Sequence, residues 1–325
     1  MFEEIKDNTI LVTGATGLIG QALVRRLLEC EANVTAAVRD IEKANKLFDN
    51  DTRINYIVSD ICCLKEDISG LDYIIHAAAN TSSKAFQNDP TGIAYTSLEG
   101  TRRTLEIARK NNLKNYVYLS SMEVYGIPET DEKIDELHSA NIDLMKPRSS
   151  YPESKRMCES MCASYHSQYG VPVNVVRLTQ TFGAGVRYDD GRVFAEFARC
   201  AIEKKEIILH TKGETKRNYL YIEDAVNAIL TVMLKGVRGE AYNAANESTY
   251  CSIMEMAQLV AAECAGGTIS VRIEPDSGSC YGYAPTLHMN LDTSKLSSLG
   301  WKAEKGLKEM FDIMIADMKN ARGFA

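Results

Sequence analysis

Tyr151 and Lys155 stand four residues apart in Tyr-Pro-Glu-Ser-Lys, the one Tyr-x-x-x-Lys of the chain. On a helix, that spacing puts both side chains on one face. An ammonium beside a phenol lowers its pKa from about 10. The tyrosinate can then take a proton from an alcohol or sugar hydroxyl as a hydride leaves. Ser120-Ser121 close the apolar run at 116–119, and a hydroxyl there can share the substrate's hydrogen bond. The alternative is a surface tyrosine without chemistry.

A hydride needs an acceptor, and residues 13–20 supply a place for one. They read Thr-Gly-Ala-Thr-Gly-Leu-Ile-Gly, directly after the apolar run 9–12. Gly14 permits a tight turn, Gly17 lets backbone approach a pyrophosphate, and Gly20 lets a helix pack closely. The expected cofactor contacts here are Gly14, Thr16, Gly17, Leu18 and Ile19. The spacing is G-x-x-G-x-x-G, not G-x-G-x-x-G, and an ordinary strand–turn–helix corner is the competing reading.

These groups need elements to hold them. Apolar runs at 34–38, 54–58, 73–79, 116–119 and 173–178 read as strands. Helical patterns at 18–29, 88–110 and 151–169 lie between them. Alternation of this kind predicts an α/β fold, a doubly wound parallel sheet covered on both faces. Residues 126–150 read as a long loop over the carboxyl edge of the sheet. Past Arg177 the pattern is less regular, with helices expected at 193–203, 222–234, 252–264 and 307–320 and a short β region at 269–273. The expected division is a cofactor-binding domain at 1–178, joined again by 218–248, and a smaller mixed α/β substrate-binding part at 179–217 and 249–325.

Composition narrows the classes. The 325 residues hold 37 basic and 44 acidic side chains, a net charge of −7, which gives no nucleic-acid surface. No apolar run approaches a membrane span. The acidic start Met1-Phe2-Glu3-Glu4 is unlike a signal peptide. Nine cysteines without framework spacing fit a reducing cytoplasm, with Cys62-Cys63 as two thiols. Cys158, Cys162 and His166 fall on one helical stripe, but a zinc site wants a fourth ligand and none is evident. Helix packing explains them better, and no metal is expected.

The whole set of motifs resembles the extended short-chain dehydrogenase/reductases, in their nucleotide-sugar epimerase/dehydratase group. The resemblance runs nearly end to end. It is carried by TGATGLIG at 13–20, Asp60-Ile61, His76-Ala77-Ala78-Ala79, SSMEVYG at 120–126, YPESK at 151–155, RNYLYIED at 217–224 and Leu299-Gly300-Trp301. It implies a Rossmann-type sheet, an NAD(P) cofactor, a nucleotide-diphosphate sugar substrate and a homodimer built through helices 88–110 and 151–169. It also implies that Asp60 contacts the adenine, with Ile61, Ala77 and Ala78 lining the cofactor. Ser121, Tyr151 and Lys155 form the implied catalytic triad, with Lys155 also reaching the cofactor. Ser97 stands where the family usually has Asn.

Within that group the resemblance is greatest to UDP-glucuronate decarboxylases. Pro147-Arg148-Ser149-Ser150-Tyr151, Lys155-Arg156, Thr181-Phe182-Gly183 and Asp190-Gly191-Arg192-Val193 carry it. It assigns Glu123 to proton management near the sugar and Arg217 to the diphosphate or the sugar carboxylate. Gln180 and Arg192 are the other expected substrate contacts. Met122 replaces the acid that dehydratases carry, which disfavours dehydration. A 4-epimerase and a net NADP-dependent ketone reductase remain as rivals, and a non-enzymatic cofactor sensor ranks last. The epimerases' ribose-binding acid is Val38 here, and the adjacent Arg39 could grip a 2′-phosphate. NADP is therefore favoured over NAD, unless Asp40 takes the ribose role or Arg39 stacks on adenine.

Overall fold

The computed structural model describes residues 2–81, 83–275 and 286–323. Its centre is a seven-stranded parallel sheet. The strands are β1 (Thr9–Thr13), β2 (Asn33–Val38), β3 (Ile54–Val58), β4 (Tyr73–His76), β5 (Asn115–Ser121), β6 (Val173–Leu178) and β10 (Ala241–Ala244). Their order is β10-β6-β5-β4-β1-β2-β3. The order reverses between β1 and β4, so the connections leaving them part to opposite faces and open a crevice at the carboxyl edge.

Helices cover both faces. On one, α1 (Leu18–Glu29) packs against α7 (Ile222–Lys235) through Leu23, Val24, Leu27, Val226 and Ile229. On the other, α4 (Pro90–Lys110) packs against α5 (Ser150–Tyr169), burying Leu105, Ala108, Cys158 and Cys162. The helix expected at 88–110 is α4, which opens at Pro90, and the short α3 (Ser83–Asn88) precedes it. Between them the Asp89 side chain accepts from Gly92 N at 3.0 Å. Proline at a helix start has no lost hydrogen bond to restore, which fixes the break there. The short α2 (Ile41–Leu47) follows β2, with Asp40 as its cap.

A smaller part lies beyond the carboxyl edge. It holds β7 (Gln180–Phe182), α6 (Val193–Glu203), β8 (Ile207–Leu209), β9 (Lys216–Tyr221), β11 (Asn246–Ser252), α8 (Ile253–Leu259), β12 (Val271–Ile273), β13 (His288–Met289) and α10 (Leu307–Arg322), while α9 (Ser294–Ser297) packs beside β10 with Leu296 in the core of the large sheet. Strand β9 pairs antiparallel with β11 and parallel with β7 and β13, while β8 pairs with β12. The core of this part is aromatic and sulfur-rich: Phe182, Phe194, Phe197, Met256, Met310, Phe311 and Met314. Phe182 and Phe194 stack at 4.6 Å. The helix expected at 252–264 is α-helical to Leu259 and then widens into a π turn over Val260–Cys264. Trp301 belongs to the core of the large sheet and donates its indole N–H to Asp224 O at 3.1 Å, which ties the C-terminal segment to α7.

The segment between β5 and α5 is a long loop, as its turn residues imply. It is fastened at several points. Ile134 bridges Leu291, and Arg156 of α5 donates to Val124 O at 2.7 Å and Ala140 O at 3.0 Å. Arg177 and Glu159 form a largely buried ion pair at 2.7 Å, and Arg177 also donates to Tyr125 Oη and Glu136 O. No described helix is long and apolar enough to cross a membrane. The eight described cysteines are free, Cys280 lies outside the described residues, and no metal-binding cluster occurs among the described residues. Cys158 and Cys162 are core residues, and His166 Nδ1 bonds Val171 O at 2.8 Å.

Candidate active site

The loop after β1 is shaped by backbone proximity. Gly14 has φ +68°, and a Cβ there would meet Ala78 N at 2.7 Å and Ala77 O at 2.8 Å. A Cβ on Gly20 would meet Gly14 O at 2.1 Å, so the α1 backbone rests directly on the loop. Gly17 is different. It is exposed, has an ordinary φ of −81°, and a Cβ would find only Gly14 O at 3.3 Å. No side chain caps α1, and its first i→i−4 bond runs from Gln21 N to Gly17 O. The N–H groups of Leu18, Ile19 and Gly20 thus precede the helix ladder, at its positive end. A pyrophosphate fits this cradle: bare glycine surface, unspent donors and a favourable dipole.

The neighbouring strand ends are tied to this loop. Thr13 Oγ1 accepts from Ala78 N at 3.3 Å and pairs with His76 Nδ1 at 2.7 Å. His76 Nε2 meets Thr101 Oγ1 at 3.3 Å, so a buried polar chain links the β1 loop to α4. Burial holds the His76 pKa down at about 3, so the ring is neutral. After β3, Asp60 accepts from Cys62 N at 2.9 Å and caps the turn that begins at Ile61. After β2, Arg39 is exposed, and the Asp40 carboxylate accepts from Lys43 N at 3.0 Å. Asp40 thus caps α2 through one carboxylate oxygen, as Asp60 caps its own turn.

Ser121 ends β5, and Tyr151 and Lys155 face it from the first turns of α5. Tyr151 and Lys155 are both buried. The Lys155 ammonium donates to Leu119 O at 2.6 Å, 4.6 Å from the Tyr118 ring centroid and 6.0 Å from that of Tyr151. Burial lowers its pKa to about 8. The depressed phenol expected from the Tyr–Lys spacing is not found in the protein by itself. Burial, and then the Glu123 charge, raise the Tyr151 pKa well above its ordinary value, and the hydrogen bond from Ser121 opposes them. The physical reason is placement: the ammonium is turned to the Leu119 carbonyl, so desolvation of the phenolate prevails.

Glu123 sits in the 3₁₀ turn after β5, and its backbone N–H donates to Ser121 Oγ at 3.3 Å. The resemblance assigns Glu123 to proton management near the sugar. In the structure both arms of Arg148 donate to its carboxylate, at 2.9 and 3.1 Å. Arg148 also lies 5.6 Å from the Phe86 ring, and Phe86 stacks on Tyr151 at 4.5 Å. Neither Arg148 nor Phe86 was picked out from sequence for a role. Arg148 falls three residues before Tyr151, within the Pro-Arg-Ser-Ser-Tyr motif, and that position is a signal that could have found it. Phe86 gave none, because α3 itself went unread.

The expected substrate contacts are spread over the smaller part. Gln180 lies on β7, opposite Tyr219 of β9. Arg192 precedes α6 and is held by Asp190 at 2.7 Å, with its guanidinium 4.7 Å from the Phe194 ring. Arg217 is on β9, and its Nε is buried without a hydrogen-bond partner. A buried unpaired guanidinium N–H costs free energy unless something accepts from it, so Arg217 is suited to an anionic ligand.

A doubly wound sheet with a glycine cradle at its switch point and a Ser–Tyr–Lys set at its carboxyl edge defines a nucleotide-dependent enzyme class. The chain belongs to the NAD dependent epimerase/dehydratase family, whose model matches residues 10–245. UDP-glucuronic acid decarboxylase 1 of Xenopus tropicalis is 29% identical over 258 residues, 77% of this chain and 59% of that protein. UDP-glucuronic acid decarboxylase 3 of Arabidopsis thaliana is 26% identical over 315 residues, covering 95% of this chain and 89% of that one. The chain thus spans little more than half the length of the Xenopus relative. Among solved structures, UDP-glucose 4-epimerase of Thermotoga maritima superposes with a TM-score of 0.83 at 22% identity, over 97% of this chain and 99% of that one. UDP-glucuronic acid 4-epimerase of Bacillus cereus does so with a TM-score of 0.78 at 22% identity, over 98% of each chain. These two show the shared fold.

Proposed function

We propose that the protein is a UDP-glucuronate decarboxylase-like enzyme that acts through a 4-keto sugar and returns its hydride within one turnover. The observation that carries this reading is the placement of the Glu123 carboxylate, two residues past Ser121 and joined through Arg148 and Phe86 to the Tyr151 ring. A plain 4-epimerase has no task for an acid there. The names of the relatives at 25–29% identity point the same way.

Gly14, Thr16, Gly17, Leu18 and Ile19 would hold the pyrophosphate of NAD(P), with Asp60, Ile61, Ala77 and Ala78 around the adenosine half. When bound, the nicotinamide takes up and returns a hydride. Tyr151 would act as the phenolate, its own proton lost to solvent when Lys155 turns from Leu119 O toward the phenol; it then takes the proton of the sugar's 4-hydroxyl, and Ser121 shares that hydrogen bond. Lys155 fixes the local charge and binds the nicotinamide ribose. A ketone at carbon 4 is β to the carboxylate, so the carbon–carbon bond to the carboxylate can break. Its electron pair passes into an enolate as carbon dioxide leaves. Glu123 manages the proton that the enolate then takes up. Arg217, Gln180 and Arg192 hold the nucleotide-diphosphate end. Arg39, exposed at the end of β2, is placed to meet a 2′-phosphate and so favours NADP.

The test is incubation with a panel of nucleotide sugars and mass analysis of the products. Loss of one carbon dioxide from the uronate supports the reading. An unchanged mass with a new retention time means epimerisation, and loss of water means dehydration; either result replaces it.

A further inference from the structure

Glu123 presents a difficulty for any substrate that carries a carboxylate of its own. Two carboxylates brought to one small site repel each other unless a cation stands between them. The cation in contact with Glu123 is Arg148, whose planar fork meets both oxygens of the carboxylate. The pair is not locked away: Arg148 keeps 39% of its side chain exposed, while Glu123 keeps 19%. The arginine is therefore the partner that faces outward. It is presented by the one-turn helix Pro147–Ser149, which directly precedes α5. By contrast Lys155 is turned to Leu119 O, and Arg192 is closed on Asp190.

We infer that Arg148 recognises the sugar carboxylate, exchanging its fork from Glu123 to the incoming uronate and so making the site selective for uronic acids over neutral hexoses. The inference rests on the uronate reading above and adds the specificity residue to it. The exchange conserves a bidentate charge-assisted pair, so little pairing energy is lost when the substrate enters. It also leaves Glu123 without its guanidinium at the moment a proton must be handled. The same movement reaches Tyr151. Arg148 lies over Phe86, and Phe86 is stacked on the Tyr151 ring, so a ligand that draws Arg148 away disturbs the cover of the phenol.

The experiment measures binding apart from turnover. In a Tyr151→Phe background loaded with cofactor, the ring stack is kept and the reaction is blocked. Affinities for UDP-glucuronate and UDP-glucose are then measured by titration calorimetry, with and without Arg148→Ala, Arg148→Gln or Arg148→Lys. Loss of one charge-assisted fork predicts that preference for the uronate falls about tenfold or more in Ala and Gln, with Lys intermediate. UDP-glucose affinity, which also reports an intact fold, should stay within about twofold. Preference that persists in all three variants overturns the role of Arg148 and leaves the decarboxylase reading standing. Equal loss for both sugars also overturns it, because Arg148 is then structural. A Tyr151→Phe protein that binds both sugars alike removes the uronate reading and this inference together.

Discussion

At Tyr151 a single oxygen separates tyrosine from phenylalanine, and the ring stack on Phe86 survives the exchange. Tyr151→Phe should therefore abolish turnover yet leave cofactor affinity nearly intact, by rapid-quench assay and calorimetry. Full activity would end the proposed mechanism. Lys155→Met should lower both, and it carries a second signature. The folded Lys155 titrates near pH 8, against 10.5 for an ordinary lysine, because it is buried. Between those values the unfolded chain binds the extra proton, so this group makes folding stability rise with pH across the window. Denaturation midpoints followed from pH 8 to 10.5 should climb more steeply in the wild type than in Lys155→Met. At Arg39, loss of a 2′-phosphate contact predicts that Arg39→Ala weakens NADP by roughly 1.5–3 kcal/mol and barely touches NAD. A wild type that binds NAD more tightly than NADP would refute the assignment.

Among the elements, two glycines separate space from conformation. Gly20 has no positive φ, but its missing Cβ is where Gly14 O lies. Gly20→Ala must shift backbone, and should cost more stability than the same change at Gly170, together with most of the cofactor affinity. Gly170 ends α5 at φ +69° with nothing within 4 Å of a Cβ. Gly170→Ala should then cost only its backbone strain, about 1 kcal/mol, with cofactor binding unchanged. Thermal melts with and without cofactor distinguish the two. Six of the seven strands of the large sheet were readable because each is a continuous apolar run. The same reasoning missed β7, β8, β9, β10, β11 and β13, which are short or mix polar residues into the interior. Asn243 of β10 is the instructive case. It is fully buried, but its side chain is paired with Ile134 O, Asp292 O and Tyr125 Oη. Those partners are far away in sequence, so no local pattern could announce it. The Glu123–Arg148 pair escaped for the same reason, across 25 residues of loop.

For the whole molecule, α4 and α5 lie side by side on one face of the sheet and carry exposed apolar side chains. Tyr95 is 63% exposed, Met157 53% and Tyr169 48%. The expectation is a homodimer through this pair, a four-helix arrangement in which the same surface meets itself. Light scattering at micromolar concentration should give twice the chain mass, and Tyr95→Asp or Met157→Asp should shift it toward the monomer without loss of fold. A wild type that is monomeric throughout counts against the assembly.

The path of the main chain has a consequence for anyone who would rebuild this enzyme. After β6 it leaves the large sheet for β7 and β9, returns to place β10 beside β6, and leaves again for β11. Trp301 then reaches back to the large core from near the C-terminus. The two lobes are braided, so no single cut separates them and no truncation after β6 leaves a finished sheet. Exchanging the smaller lobe for that of a relative would require two donor segments and three junctions, with the Trp301 anchor matched to its new host. Recombination at one crossover should give mostly insoluble chimeras, whereas changes confined to the loop between β5 and α5 leave every strand junction untouched.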